Sequence, residues 1–109
     1  MKGRSTREIL PRLTMTPDPY TVTLVESAEL NEARALALIG NNLVDWTIER
    51  LALVDRLVMV LAIAELLLAD PPPTAVVLNE AVELARTFST EDSPSFVNGV
   101  LAACVDELG

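Results

Sequence analysis

Apolar residues recur along most of the chain at the spacing of an α-helix. Asp18 is a suitable capping residue and Pro19 suits the first helical position, and apolar side chains then return about every 3.6 residues as far as Leu43. A second apolar block covers residues 48–69, with an expected break near 51–54, and stops before three consecutive prolines. The pattern therefore predicts two long helical segments.

Two shorter helices are predicted after those prolines. Asp92 or Ser93 can cap the second of them, and Pro94 follows directly inside it. Gly99 in its middle costs about 1 kcal/mol relative to alanine and is expected to mark a close approach between helices. No segment predicts a strand, so we expect an all-α bundle with short connections. The first of the two helices has its apolar face at Val77, Ala81, Leu84, Ala85 and Phe88.

The most apolar part of the chain is the stretch from 57 to 69, in which twelve of 13 residues are apolar and Glu65 is the exception. This stretch is shorter than the roughly 18–20 residues that a membrane-spanning helix needs. We therefore expect no membrane partner, but a central helix that must be covered on nearly all sides.

Composition and charge narrow the class of protein. The 109 residues suffice for one domain, and only four of them are aromatic, so the core must be aliphatic. The net charge of −8 is unevenly distributed: residues 1–12 carry four bases and one acid, whereas residues 13–109 carry four bases and 15 acids. The basic segment is either a frayed tail or a small patch that faces a polyphosphate.

The residue types exclude most enzyme chemistry. The absence of histidine removes Ser-His-Asp and Cys-His catalysis and imidazole metal sites. The one cysteine, Cys104, is expected in the core of a cytoplasmic protein. Glu26, Glu29 and Glu32 could hold a hard cation, but are expected to form a solvated helix face. We therefore expect no enzyme, no cofactor and no metal.

Two features of the second block bear on function. Trp46 lies at a junction between predicted helices and is expected to be a hydrophobic plug that fixes their angle. Asp55 and Arg56 follow the predicted break. They form either a solvated face or a surface that meets a partner, and the spacing favours the solvated face.

Two motifs near the C-terminus are the most specific of the sequence: L-N-E-A-V-E-L-A at 78–85 and E-D-S-P-S-F-V-N-G-V-L at 91–101. Three shorter segments accompany them: Leu24-Val25, W-T-I-E-R-L at 46–51 and V-D-R at 54–56. Together these segments resemble the NusB family of transcription antitermination factors. The resemblance covers most of the chain.

The resemblance implies an all-α, NusB-like helical bundle and a non-enzymatic adaptor. Such adaptors bind boxA RNA in nascent ribosomal transcripts together with the ribosomal protein NusE, and the complex joins RNA polymerase and suppresses premature termination. Residues 19–109 would form the NusB-like helical domain. Residues 1–18 would be a short basic remnant of the family's first helix, so we expect a shortened N-terminal subdomain.

The resemblance also implies roles for individual residues. For Phe96, packing in the core is an open alternative to an RNA contact. On the surface that the family offers to NusE lie Glu49 and, in the V-D-R motif, Asp55. The residues expected to face RNA are Arg4, Arg7, Arg12, Asp92 and Phe96.

Two positions depart from the family pattern. Val60 and Ala64 stand where relatives tend to have an arginine and an aromatic residue, which leaves apolar surface to be covered. We therefore expect these two residues to form a dimer face, for a second copy of the chain or a partner helix. An alternative function follows: a NusB-derived interaction or dimerisation module that has lost RNA binding. A regulatory domain related to the N-terminal region of rRNA cytosine methyltransferases is disfavoured, because the sequence has no methyltransferase motif.

Overall fold

The computed structural model describes residues 18–109. In this range the chain forms four α-helices, one 3₁₀ turn and no strand, which confirms the predicted all-α class. Arg4, Arg7 and Arg12 lie outside the described residues, as does nearly all of the predicted basic segment. The elements are α1 (Pro19–Asn41), the 3₁₀ turn (Ile48–Arg50), α2 (Leu53–Leu66), α3 (Thr74–Phe88) and α4 (Ser93–Leu108).

Helix α1 begins as the sequence predicts. The Asp18 carboxylate accepts a hydrogen bond from the Thr21 amide at 2.8 Å, and Pro19 occupies the first turn. This bond from Thr21 stabilises the charged carboxylate and holds the pKa of Asp18 below its usual value. The helix ends at Asn41, where the side-chain amide of Asn42 donates to the Leu38 carbonyl at 2.9 Å. Both ends are therefore set by local side-chain chemistry.

Helix α2 is the centre of the bundle and packs against all three other helices. Ala64 is fully buried and Val60 is 7% exposed. The Ser27 hydroxyl of α1 donates to the Ala64 carbonyl at 3.0 Å, so α1 lies directly beside this part of α2. The prediction that Val60 and Ala64 form an uncovered dimer face is therefore wrong, because helices of the same chain cover them.

The core is aliphatic, as the composition predicts. Cys104 lies within it, fully buried, and burial is the main reason that the pKa of its thiol rises to about 11. The largest fully buried side chains are Ile39, Met59, Ile63, Leu101, Val77, Val97, Cys104 and Ser93.

The predicted apolar face of α3 is wider than the one that the structure uses. Val77, Ala81 and Ala85 are buried at intervals of four residues. Leu84 and Phe88 belong to the predicted apolar face but are 44% and 66% exposed, so the buried row does not include them. Small residues on the row let α3 pack closely, and the contact is consequently narrow.

The glycine in α4 does not have the predicted role. Gly99 is exposed, and a Cβ atom built on it meets no atom of residues 18–109 within 4 Å. The prediction of a close helix approach at Gly99 is therefore wrong.

The start of α1 and the end of α2 are joined by a polar contact. The Tyr20 hydroxyl donates a hydrogen bond to the Glu65 carboxylate. This bond raises the pKa of Tyr20 to about 12, with further contributions from desolvation and from the charges of Glu65 and Glu80. The contact gives a role to the one acid in the apolar stretch 57–69.

None of the helices between 18 and 109 has both the length and the apolar character needed to cross a membrane. Glu26, Glu29 and Glu32 belong to no cluster in that range that could hold a metal ion.

Candidate functional site

A cleft of about 410 Å³ lies where the 3₁₀ turn, the first turn of α2 and the α3–α4 connection meet. Its size falls in the range of small-ligand sites, roughly 300–1,000 Å³. Two of the motifs that the sequence analysis singled out, at 46–51 and 91–101, thus come together here although they are far apart in the chain. The lining residues are Trp46, Arg50, Leu51, Ala52, Asp55, Thr90, Asp92, Ser93 and Phe96.

Trp46 and Arg50 form one wall of the cleft. The indole is 43% exposed, so the prediction of a buried plug between helices is wrong. The guanidinium carbon of Arg50 lies 4.4 Å from the centre of the ring, a cation–π contact. Sequence reasoning missed Arg50 as a site residue. The signal was the four-residue spacing of a tryptophan and an arginine around a predicted helix break.

The 3₁₀ turn that carries this wall is anchored on α1. Ile48 is half-buried, packs against the core and lies beside Gly40. Asp45, the residue before Trp46, has a left-handed backbone conformation with φ of 56°. Aspartate is one of the few residues that adopt this conformation, at a cost of about 1 kcal/mol. The chain therefore turns sharply just before the indole and is tied down just after it.

Asp55 forms the floor of the cleft and is only 6% exposed. One carboxylate oxygen accepts from the Ser89 hydroxyl at 2.7 Å, and the other accepts from the Ser93 hydroxyl at 2.9 Å. The Ser93 oxygen in turn accepts from the Thr90 amide at 3.1 Å. The charge also lies in the first turn of α2, where the helix dipole stabilises it.

This network corrects the expected place of Asp55. Its carboxylate is buried and accepts hydrogen bonds from two serines of the same chain. The predictions that Asp55 lies on a solvated face or contacts NusE are therefore wrong. Asp55 instead ties the α3–α4 connection, and with it the start of α4, to the first turn of α2.

Asp92 and Phe96 form the opposite side of the cleft. Asp92 occupies the capping position of α4, but its side chain makes no hydrogen bond to the helix, so the predicted capping bond is absent and the exposed carboxylate stays at the rim. Phe96 is half-buried: it packs against the core and also lines the cleft. Core packing, one of the two interpretations that the sequence left open for Phe96, therefore holds in part, and the RNA contact stays a prediction.

Glu49 is exposed in the 3₁₀ turn and does not line the cleft. The structure thus brings Asp92 and Phe96 together with Trp46 and Arg50, and leaves Glu49 on adjacent surface. Arg50 is the one cationic side chain among the described residues that line the cleft, and Asp55 and Asp92 are the two acidic ones. The arrangement suits a flat ligand with little negative charge.

The model of the NusB family matches residues 2–106. The chain belongs to the NusB family. Transcription antitermination protein NusB of Streptomyces griseus is 43% identical over an alignment of 114 positions, which covers 96% of this chain and 80% of that protein. Its counterpart in Streptomyces avermitilis is 50% identical over 82 residues, which cover 75% of this chain and 57% of the relative.

Solved structures show the same NusB fold. NusB of T. maritima superposes with a TM-score of 0.81 at 34% identity, over 92% of this chain and 74% of that one. A chain in the crystal structure of a plectonemic RNA supercoil superposes with a TM-score of 0.79 at 27% identity, over 94% of this chain and 76% of that one. The resemblance drawn from the motifs is thus confirmed across most of the chain.

Proposed function

We propose that this chain is a transcription antitermination adaptor that binds boxA-type RNA of nascent rRNA transcripts together with the ribosomal protein NusE. In this function it joins the antitermination complex on RNA polymerase. The observation that carries the proposal is the meeting of the 46–51 and 91–101 motifs of a NusB family member at one open cleft. An exposed cleft with aromatic side chains on two sides is a surface that single-stranded RNA uses.

Two groups of residues face the RNA in this proposal. Asp92 and Phe96 lie on the RNA side of the cleft. Arg4, Arg7 and Arg12 contact phosphates without regard to sequence. Three phosphate contacts to a single strand imply a shallow salt dependence, with a slope of about −2 in a plot of log affinity against log salt.

The proposed NusE surface lies beside the cleft. Glu49 is exposed there and is a suitable contact for a basic partner. Asp55 supports this surface from below by holding the α3–α4 connection in place, and does not contact the partner itself.

Fluorescence anisotropy with labelled boxA RNA and a scrambled RNA of equal length tests the RNA part. We expect boxA RNA to bind more tightly, and replacement of Arg4, Arg7 and Arg12 by alanine to weaken both RNAs and to flatten the salt dependence. Arg34→Ala, which removes an exposed arginine elsewhere, is the matched control. If neither RNA binds at low salt, the RNA role is refuted.

A pull-down with NusE, with and without boxA RNA, tests the adaptor part. Glu49→Lys is expected to weaken capture of NusE and to leave the free energy of unfolding unchanged. The second candidate function is an interaction module that has lost RNA binding. The excess of acids over bases in residues 13–109, 15 against four, favours this second function, because it opposes binding of RNA. Capture of NusE by a chain that binds no RNA would establish this function.

A further inference from the structure

We propose that the cleft between Trp46 and Phe96 holds one unpaired nucleobase of a single-stranded RNA, and that Arg50 donates hydrogen bonds to the phosphate beside that base. The inference rests on the RNA-binding function proposed above and deepens it. It assigns a ligand and a binding mode to Trp46 and Arg50, to which the sequence analysis gave no RNA contact.

The side chains that line the cleft suit a flat aromatic ligand. Trp46 and Phe96 line it from segments about 50 positions apart, and neither side chain is fully buried. A large aromatic side chain that stays 43% exposed on an anchored turn leaves apolar area that a ligand can cover. Bases stack on indole, on phenyl and on guanidinium planes, and all three surfaces line this cleft.

Arg50 adds a cation whose position is already fixed. Its guanidinium rests on the Trp46 ring, and no carboxylate between residues 18 and 109 forms an ion pair with it. A guanidinium over an aromatic ring keeps N–H donors available for an anion. Since the contact exists before any ligand arrives, less side-chain freedom is lost on binding.

The backbone also holds this wall in place. The left-handed conformation of Asp45 turns the chain just before Trp46, and Ile48 fixes the turn to α1 just after it. Backbone strain of this kind persists where the surrounding structure determines it, and it is concentrated at binding sites.

The charges limit the ligand to one base and one phosphate. Arg50 and the exposed carboxylate of Asp92 both line the cleft, while the carboxylate of Asp55 already accepts hydrogen bonds from two serine hydroxyls. A run of phosphates would meet Asp92 without a further cation among the described lining residues. The cleft therefore binds the ring of the base, and other parts of the protein bind the rest of the RNA backbone.

The single tryptophan of the chain makes the proposal directly measurable. A base that stacks in the cleft must change the fluorescence emission of Trp46. We expect titration of the full-length protein with a single-stranded boxA-type RNA to quench this emission with the same midpoint as the anisotropy of the labelled RNA.

Variants separate the two contacts. We expect Trp46→Ala to weaken RNA binding about 5- to 150-fold, the value of one base–aromatic stack, and Trp46→Phe to retain most of the affinity. Arg50→Ala is expected to lower the magnitude of the salt slope by about 0.7, the share of one phosphate on a single strand. Arg34→Ala removes the same charge from a different surface and should leave the emission change intact. Circular dichroism of each variant checks that it folds.

Three results would overturn the proposal. If RNA binds without changing the emission of Trp46, and Trp46→Ala binds like the natural chain, the base lies elsewhere while the RNA function stands. If NusE quenches the emission and RNA does not, the cleft is a protein interface. If no RNA binds under any condition, the proposed RNA function fails and the cleft loses its ligand.

Discussion

The Ser93 hydroxyl at the start of α4 donates a hydrogen bond of 2.9 Å to the buried carboxylate of Asp55 in the first turn of α2. With Ser89 on the other carboxylate oxygen, this bond joins the two sides of the cleft from beneath. Removal of a buried carboxylate whose two oxygens both accept hydrogen bonds is costly, because it leaves the donors without partners.

The first prediction concerns the stability of this network. Asp55→Ala leaves the hydroxyls of Ser89 and Ser93 without their acceptor and should lower the free energy of unfolding by about 3 kcal/mol, as measured by urea unfolding. Asp55→Asn keeps one acceptor and should cost less. Asp92→Asn, whose carboxylate is exposed, should change the stability by less than about 1 kcal/mol. Equal stability of all three variants would show that the network contributes nothing.

The second prediction concerns the titration of Tyr20, the one tyrosine of the chain. Its folded-state pKa of about 12 lies above the ordinary value of 10, so folding favours the protonated hydroxyl. The resulting stabilisation is complete below pH 10 and is lost as the pH rises from 10 through about 12. The ultraviolet absorbance of tyrosinate measures this pKa, and Glu65→Gln should return it toward 10.

Glu83→Gln serves as the control for Tyr20, because Glu83 pairs with Arg86 at 3.1 Å and does not act on Tyr20. An unchanged titration of Tyr20 in the Glu65→Gln variant would refute the assigned hydrogen bond.

Helix boundaries could be predicted from the sequence because their causes are local. A few adjacent residues, through their side chains and the backbone conformations open to them, decide each boundary. Examples are the start of α1 at Asp18 and Pro19, the break before Leu53 and the start of α4 just before Pro94. The end of α2 at Leu66 is not of this kind, since it lies well before the prolines and no helix-breaking residue stands there.

The cleft could not be predicted, because it depends on contacts between distant segments. The sequence predicts that Asp55 is a surface acid, because it does not show that Ser89 and Ser93 bind its carboxylate. The sequence likewise predicts that Trp46 is a hydrophobic plug, because it does not show that the turn leaves the side chain half exposed beneath Arg50. Helical periodicity reports which face of a helix is apolar, but not how wide a strip of that face its neighbours cover.

The third prediction concerns Gly99, whose added Cβ meets no atom of the described residues within 4 Å. Glycine in a helix interior is less favourable than alanine by about 0.8–1.0 kcal/mol. Gly99→Ala should therefore raise the free energy of unfolding by nearly that amount, with an unchanged denaturant dependence. A destabilised variant would show that the position requires glycine for a contact outside the described residues.

The fourth prediction concerns the reactivity of Cys104. Burial, with a further contribution from Glu107, raises the pKa of the thiol from 9.0 to about 11, so folding favours the neutral thiol. At about pH 8 the folded chain should carry about a hundredfold less thiolate than the unfolded chain and react correspondingly slowly with a chromogenic disulfide reagent. The rate at which the Cys104 thiol is labelled should rise with urea concentration in parallel with the fraction of unfolded protein. Rapid labelling of the native protein would contradict the buried position of Cys104.

The last prediction concerns Asp92, the exposed carboxylate at the rim of the cleft. It forms no capping bond with α4, and it lines the same cleft as Arg50, which is proposed to bind the phosphate beside the base. Asp92→Asn should therefore tighten RNA binding about two- to fivefold at low salt, the range of one exposed charge contact, with a smaller gain at high salt. Asp106→Asn removes the same charge from an exposed site at the far end of α4 and should leave RNA affinity unchanged. Weaker binding by the Asp92→Asn variant would mean that the carboxylate accepts a hydrogen bond from the RNA, and the base in the cleft would then be one that presents a donor edge.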